Sequence, residues 1–249
     1  MDKYGLIGYP LGHSFSIGYH NQRFADEGIN AKYFNFEIPS IEDLPEIISS
    51  NPELKGLNVT IPYKEKVMDY LDYISPEARA IGAVNVIKVI NDGKRVKLKG
   101  YNSDVIGFTQ SIEPMLEDYH KKALVLGTGG ASKAVVYGLK ALGLEPVVVS
   151  RYERPDTIQY QNITPDVVRE YNVIVNCTPL GMYPKTETCP DIPYEALDER
   201  NILYDLIYNP DETLFMRRGA AHGAQTKNGL EMLLLQAFAS WEFWNSAER

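Results

Sequence analysis

The sequence predicts an α/β protein in two parts, a mixed sheet with its own helices over the first hundred residues and then a doubly wound parallel sheet. Three observations predict it. Ala123-Leu124-Val125-Leu126-Gly127-Thr128-Gly129-Gly130-Ala131 reads as a buried strand, a glycine turn and the start of a helix. Asn91-Asp92-Gly93-Lys94 lies between two apolar-alternating runs, and Asp-Gly in that setting marks a hairpin of antiparallel strands. After about residue 120 strand and helix patterns alternate, as a parallel sheet with crossover helices requires.

Taken in order, Tyr4 to Gly8 reads as a strand, followed by a loop from Tyr9 to His13 and a helix to about Gly28. Ala31 to Glu37 alternates like a strand, with Tyr33, Asn35 and Glu37 opposite Phe34 and Phe36. Asp43 with Pro45 marks a helix start. Gly56 to Thr60 is a short strand, and a helix is expected from near Tyr63. Ala83 to Ile90 and Arg95 to Tyr101 are the arms of the hairpin. Ser103 to about Tyr119 is a helix bridging to the second part. There Ala123–Leu126, a helix from Gly130 to Leu142 and Pro146–Val149 form a βαβ unit, with further strands at Val173–Asn176 and Ile202–Asp205. Residues 151–163 carry Pro155, Thr157 and Ile158 without a helical stripe, so a crossover helix is missing there. The segment from Asn228 to about Ser246 is a helix, with Asn228 as N-cap and Glu231 spaced for a capping box. Its apolar stripe is Leu230, Leu233, Leu234, Ala237, Phe238, Trp241 and Trp244. The domains are therefore expected at 1–103 and 104–227, followed by the helical segment 228–249.

Bulk properties narrow the function. A chain of 249 residues, 44% hydrophobic and 23% charged, is long enough to bury its own cores. The net charge of −8 argues against phosphate-backbone binding, which needs a basic face. Two cysteines, Cys177 and Cys189, exclude a disulfide framework and fit a reducing compartment. His13, His20, His120 and His222 are scattered and no Cys/His spacing fits zinc, so no metal is expected. No apolar run approaches the roughly 20 residues a membrane span needs, and Met1-Asp2-Lys3-Tyr4 leads straight into a strand pattern without a secretory signal. The expectation is a soluble, cytoplasmic protein.

The glycine turn brings backbone N–H groups and a helix N-terminus up to a phosphate, the arrangement of a Rossmann-like dinucleotide domain. Glycine turns that bind nothing are also common, and the third position of G-x-G-x-x-G/A is Ser132. About 20 residues past the first glycine an NAD enzyme carries an acidic residue for the ribose 2′-hydroxyl. Here that count reaches Ser150 and Arg151, with Arg154 close behind, and a guanidinium fork suits the 2′-phosphate of NADP. Glu153 between the two arginines offsets part of that attraction.

In the first hundred residues, Ser14 and Ser16 place two hydroxyls at a helix start, either as an ordinary cap or as a hold for a small carboxylate. Lys64 follows Pro62 where a helix is expected to open, a position that disfavours a cation unless an anion or a task holds it. Asn85 places an amide on a strand, and Asp104 follows Tyr101-Asn102-Ser103 at the start of the bridging helix. Each alone has a structural reading as well.

Together these pieces resemble the shikimate dehydrogenase family over nearly the whole chain. The matching motifs are Ser14-Phe15-Ser16, Asn58-Val59-Thr60-Ile61-Pro62-Tyr63-Lys64-Glu65, Gly82-Ala83-Val84-Asn85, Asn102-Ser103-Asp104, the 127–131 turn, Tyr204-Asp205-Leu206-Ile207-Tyr208, and Asn228-Gly229-Leu230-Glu231-Met232 with Gln236. The resemblance implies NADP-dependent, reversible interconversion of 3-dehydroshikimate and shikimate. It implies that Ser14 and Ser16 bind the substrate carboxylate with Tyr208 nearby, and that Thr60, Lys64, Asn85, Asp104 and Gln236 meet the ring hydroxyls or ketone. It implies NADP contacts from Gly127, Thr128, Gly129, Gly130, Ala131, Ser150, Arg151, Leu206 and Gly229. It further implies that the C-terminal helix folds back to complete the first domain and that the active site lies in an interdomain cleft.

A lysine ammonium beside the ketone can stabilise negative charge on oxygen and donate the proton, and Asp104 near it would favour the charged form. Lys64 and Asp104 are the expected acid–base pair, with either one carrying the transferred proton. Several positions depart from the family's common pattern: Ile17 stands for proline, Ser103 for threonine and Tyr152 for threonine, and Arg154 sits one place early. The same residues leave open a quinate/shikimate dehydrogenase using NAD and a non-catalytic shikimate-binding regulator. The protein is expected as a monomer or homodimer, with no nucleic-acid or membrane partner.

Overall fold

The structure, a computed structural model, describes residues 1–12 and 14–246. His13 and the end of the expected C-terminal segment, 247–249, lie outside the described residues. The chain divides into two compact units: Met1–Ser103 with the chain from Ala237 onward, and Asp104–Gln236.

The first unit runs β1 (Asp2–Gly8), α1 (Phe15–Asp26), β2 (Ala31–Glu37), α2 (Leu44–Ser50), β3 (Leu54–Val59), β4 (Tyr73–Ile74), α3 (Pro76–Ile81), β5 (Val86–Asn91) and β6 (Val96–Tyr101). Its six strands lie in the order β2-β1-β3-β5-β6-β4. β1 is parallel to β2 and β3, while β5 is antiparallel to both β3 and β6. The hairpin forms as expected: the Asp92 carboxylate accepts from the Lys94 and Arg95 N–H groups, and Gly93 takes φ +81°. Strand alternation sends Ile7, Leu57 and Ile87 to one core with Leu44, Leu54 and Val67, and Tyr4, Leu6 and Val86 to another with Phe24, Tyr33 and Trp244. Trp244 explains a glycine, because a Cβ on Gly56 would lie 2.3 Å from the indole, whose N–H donates to the Ile87 carbonyl at 3.1 Å.

The second unit runs α4 (Asp104–Ile112), β7 (Lys122–Leu126), α5 (Gly130–Ala141), β8 (Glu145–Ser150), β9 (Thr157–Gln159), α6 (Pro165–Glu170), β10 (Val173–Asn176), β11 (Ile202–Asp205), α7 (Leu214–Ala220), β12 (Gln225–Lys227) and the first turns of α8 (Leu230–Asn245). All six strands are parallel, in the order β12-β11-β10-β7-β8-β9. Both faces are covered, so the central strands are apolar at every position: Leu124 and Leu126 face one core with Phe215, and Ala123 and Val125 face another with Phe108. The fold is the two-part α/β arrangement the sequence predicts.

Several elements differ from expectation. No α-helix opens at Tyr63; the chain turns through 60–63 and makes only a short 3-10 helix, Lys66–Tyr70. Val67 is the one buried residue of that stretch, too narrow an apolar stripe for a longer α-helix. The bridging helix ends at Ile112 rather than near Tyr119, because Pro114 has no N–H to continue the ladder and Glu113–Met115 closes as a 3-10 turn. Residues 151–163 lack a crossover helix, as expected, yet they contain the edge strand β9. Asp156, at φ 58°, turns the chain back so that Thr157 pairs with Val148. Asn228 caps α8 by accepting from the Leu230 N–H at 3.1 Å, whereas Glu231 pairs with Lys227 and accepts from the Ser111 hydroxyl at 3.3 Å instead of closing a capping box. Among the described residues, no helix is long and apolar enough to cross a membrane.

Candidate active site

In the first unit, Ser14, Ser16, Thr60, Lys64 and Asn85 come from segments at one end of the sheet. The register shows why: Gly8 ends β1, Val59 ends β3, and Val86, which opens β5, pairs with Asn58 and with Tyr101 at the end of β6. Ser14 takes the N-cap position of α1 without a side-chain bond to the helix, so its hydroxyl is not spent on capping. Ser16 lies half-buried in the first turn of α1. Thr60 is pinned by backbone: its N–H donates to the Ile7 carbonyl at 2.9 Å and its carbonyl accepts from the Tyr63 N–H at 2.9 Å. A Cβ on Gly8 would meet Thr60 Cγ2 at 2.5 Å, so only glycine lets β1 close on Thr60. The Lys64 carbonyl accepts from the Val84 N–H at 2.7 Å, which ties the lysine's backbone beside Asn85.

Asn85 is buried, and its amide is doubly held by Ser103: the Ser103 N–H donates to Oδ1 at 2.6 Å, and Nδ2 donates to Ser103 Oγ at 2.9 Å. Behind it, Asn58 Nδ2 donates to Ser240 Oγ at 2.9 Å, Ser240 Oγ lies 3.1 Å from Ser103 Oγ, and the Tyr33 hydroxyl donates to Asn58 Oδ1 at 2.8 Å. His20 stacks on Tyr33 at 4.6 Å between ring centroids, and among the described residues neither of its ring nitrogens has a partner. Burial first, then the Arg23 guanidinium, push its pKa down to about 3.

In the second unit, the strand order reverses between β7 and β10, and ligands of such sheets bind at the carboxyl ends of the strands flanking that point. β7 is followed directly by Gly127, whose φ of +112° is open to glycine and whose missing Cβ would sit 3.2 Å from the Cys177 carbonyl oxygen. A Cβ built on Gly129, the N-cap of α5, meets nothing within 4 Å, so the turn presents bare backbone to open space. Ser132, standing for the third glycine, is buried, and its hydroxyl donates to the Gly129 carbonyl at 2.6 Å. Thr128, Gly130 and Ala131 complete the half-buried turn.

Ser150 ends β8 and is buried, its hydroxyl accepting from the Tyr152 N–H at 3.2 Å. Arg151 and Arg154 are both exposed, and the Arg151 guanidinium lies 5.6 Å from the Tyr152 ring centroid. The Leu206 N–H donates to the Asn176 carbonyl at 3.0 Å, and a Cβ on Gly229 would lie 2.1 Å from the Leu206 carbonyl oxygen, so residue 229 must be glycine. Tyr208 follows on the same loop, 37% exposed, its phenol pKa raised by burial. Asp104 opens α4 and is buried; Gln236 lies on α8 with its amide donating to the Leu233 carbonyl at 2.9 Å.

Comparison with known proteins gives one account of both units. Residues 6–87 match the family model for the shikimate dehydrogenase substrate binding domain. A shikimate dehydrogenase (NADP(+)) of Methanococcus maripaludis is 38% identical over 257 residues, covering 96% of this chain and 90% of the relative. The chain belongs to the shikimate dehydrogenase family. Another relative of that name, from Clostridium beijerinckii, is 39% identical over 260 residues, covering 100% of this chain and 93% of its own length. The shikimate 5-dehydrogenase of Thermus thermophilus, solved in complex with NADP(H) and shikimate, superposes with a TM-score of 0.86 at 30% identity, covering 99% of this chain and 94% of that one.

The expected side chains therefore fall into two sets. Ser14, Ser16, Thr60, Lys64 and Asn85 gather in the first unit, and the glycine turn, Ser150, Arg151, Arg154, Leu206, Tyr208, Gly229, Asp104 and Gln236 belong to the second. Sequence reasoning assigned no role to Tyr33, Asn58, Ser103 or Ser240, or to the buried carboxylate of Asp205. That carboxylate accepts from Thr213 Oγ1 at 2.7 Å, from Asn176 Nδ2 at 3.0 Å and from the Ile207 N–H at 3.0 Å. Burial raises its pKa to about 6 against these three donors. A signal was available for Asp205, since an acidic residue closing an apolar strand needs donors nearby.

Proposed function

We propose that this chain catalyses the reversible, NADP-dependent interconversion of shikimate and 3-dehydroshikimate. The observation that carries the reading is kinship with NADP(+) shikimate dehydrogenases over 96% of the chain. The chain's own residues fit the cofactor: bare backbone at Gly127 and Gly129, a helix N-terminus behind it, and Arg151 rather than a carboxylate just past β8.

In this reading the first unit binds substrate and the second binds NADP, with domains at 1–103 and 104–227 and the helix from 228 serving the first. Ser14 and Ser16 donate to the substrate carboxylate, aided by Tyr208. Thr60, Asn85 and Gln236 orient the ring hydroxyls. The 127–131 turn would cradle the pyrophosphate, Ser150, Arg151 and Arg154 would take the 2′-phosphate, and Leu206 and Gly229 would contact NADP. Bound NADPH supplies the hydride that reduces the ketone. Lys64 donates a proton to the ketone oxygen as charge develops there and takes it back in the alcohol direction, and Asp104 is its acid–base partner. The protein works in the cytoplasm as a monomer or homodimer, and its net charge of −8 gives nucleic acid no basic face.

The test is absorbance at 340 nm with shikimate and NADP, repeated with NAD and with quinate. NADPH formation with shikimate, favoured over NAD, is the expected result. Preference for NAD with quinate would make this a dehydrogenase of different specificity, and shikimate binding without turnover at any pH would make it a binding protein.

A further inference from the structure

A chain of buried neutral side chains lies behind the expected substrate residues of the first unit. Tyr33, Asn58, Asn85, Ser103 and Ser240 are all at most 7% exposed and are linked by hydrogen bonds of 2.8–3.1 Å. Stability alone does not call for such a chain, since replacing both partners of a buried hydrogen bond by apolar groups of the same shape is nearly neutral. What it does supply is orientation. The Tyr33 hydroxyl donates to Asn58 Oδ1, which turns Asn58 Nδ2 toward Ser240. Ser240 Oγ, accepting there, meets Ser103 Oγ. Ser103 then holds both ends of the Asn85 amide, its N–H on Oδ1 and its Oγ under Nδ2. Of these five residues only Ser240, from the C-terminal helix, lies outside residues 33–103.

Resting on the reading of Asn85 as a substrate residue, we infer that Ser240 is a positioning residue: through Ser103 it fixes the orientation of the Asn85 amide toward a ring hydroxyl of the substrate. The C-terminal helix thereby tunes substrate affinity without touching substrate. Its loss leaves Ser103 Oγ without its serine neighbour, and Asn58 Nδ2 with the longer 3.3 Å bond to the Asn85 carbonyl.

The experiment is Ser240→Ala, with Ser103→Ala and the double variant. The shikimate KM of Ser240→Ala should rise roughly tenfold, equivalent to about 1.4 kcal/mol, while the NADP KM and the kcat at saturation stay within about threefold. The double variant should be little worse than Ser103→Ala, because both act through one amide. A lowered melting temperature with an unchanged shikimate KM, or equal rises in both KM values, would overturn the inference. The side-chain amide NMR signals of Asn85 in the ligand-free protein read the same coupling without turnover. They should shift in Ser240→Ala, and unmoved signals would refute the coupling even if the enzyme is active. A wild-type chain that neither binds nor oxidises shikimate, with shifted Asn85 signals, would overturn the functional reading and keep the coupling.

Discussion

Around Asn58 and Asn85 in the first unit the buried polar side chains are neutral, whereas in the second unit several gather round the carboxylate of Asp205. Tyr33, Asn58, Ser240, Ser103 and Asn85 hold one another by hydrogen bonds whose strength does not depend on pH in the ordinary range. His20, stacked on that chain, is kept neutral by burial and by Arg23. In the second unit Asp205 draws in Asn176 from the end of β10, Thr213 from the start of α7 and the Ile207 N–H from its own loop. One ionisable group thus ties the loops after β10 and β11, and Asn176 passes the order on by accepting from the Thr178 N–H and hydroxyl. A neutral chain fixes directions at low electrostatic cost. A buried carboxylate binds more donors but loses its hydration, which raises its pKa.

His20 is neutral when folded down to about pH 3, but the unfolded chain takes up a proton near 6.5. Its contribution is therefore full above 6.5 and is lost as pH falls toward 3, by up to about 5 kcal/mol. Urea unfolding of wild type and His20→Phe should show the wild type losing ground to the variant as pH drops through that window. A gap independent of pH would break the contrast. Asp205 has the opposite sign. It keeps its proton when folded up to about pH 6, while the unfolded chain releases it near 3.8. Stability from this group is full below 3.8 and falls as pH rises to 6, by up to about 3 kcal/mol. The advantage of wild type over Asp205→Asn should shrink across that interval and level off above it. Smallest is the exposed cation: Arg151→Ala should raise the NADP KM about tenfold, as losing one charged hydrogen bond does, and leave the NAD KM unchanged. Equal effects on both cofactors would remove Arg151 from the 2′-phosphate.

The sequence was most legible where one physical rule acts alone. Leu124, Val125 and Leu126 read as a buried strand because both faces of the second sheet are covered, and Asp92-Gly93 reads as a hairpin because its turn geometry is local. It was least legible where tertiary packing decides. The short elements β4, β9, β12, α6 and α7 carry too few residues for a period to show. The stretch after Tyr63 looks helical until burial of Val67 alone makes it a 3-10 turn. Ser240 sits on a helix read as an apolar stripe, and nothing local says that its hydroxyl meets Asn58, 182 residues earlier. The expected ligand residues were named from motifs, while the network holding Asn85 and the donors around Asp205 emerge only from three-dimensional proximity.

The central claim is that Lys64 performs proton transfer while the second unit holds the cofactor. Its most direct test is Lys64→Ala, with kcat for shikimate oxidation measured at 340 nm and the NADP dissociation constant measured by calorimetry on the same sample. The account predicts a fall in kcat of roughly 10²–10⁴-fold with NADP affinity within about twofold of wild type. A fall of less than about tenfold, short of what acid–base groups contribute, or a loss of NADP binding that matches the loss of turnover, would contradict it.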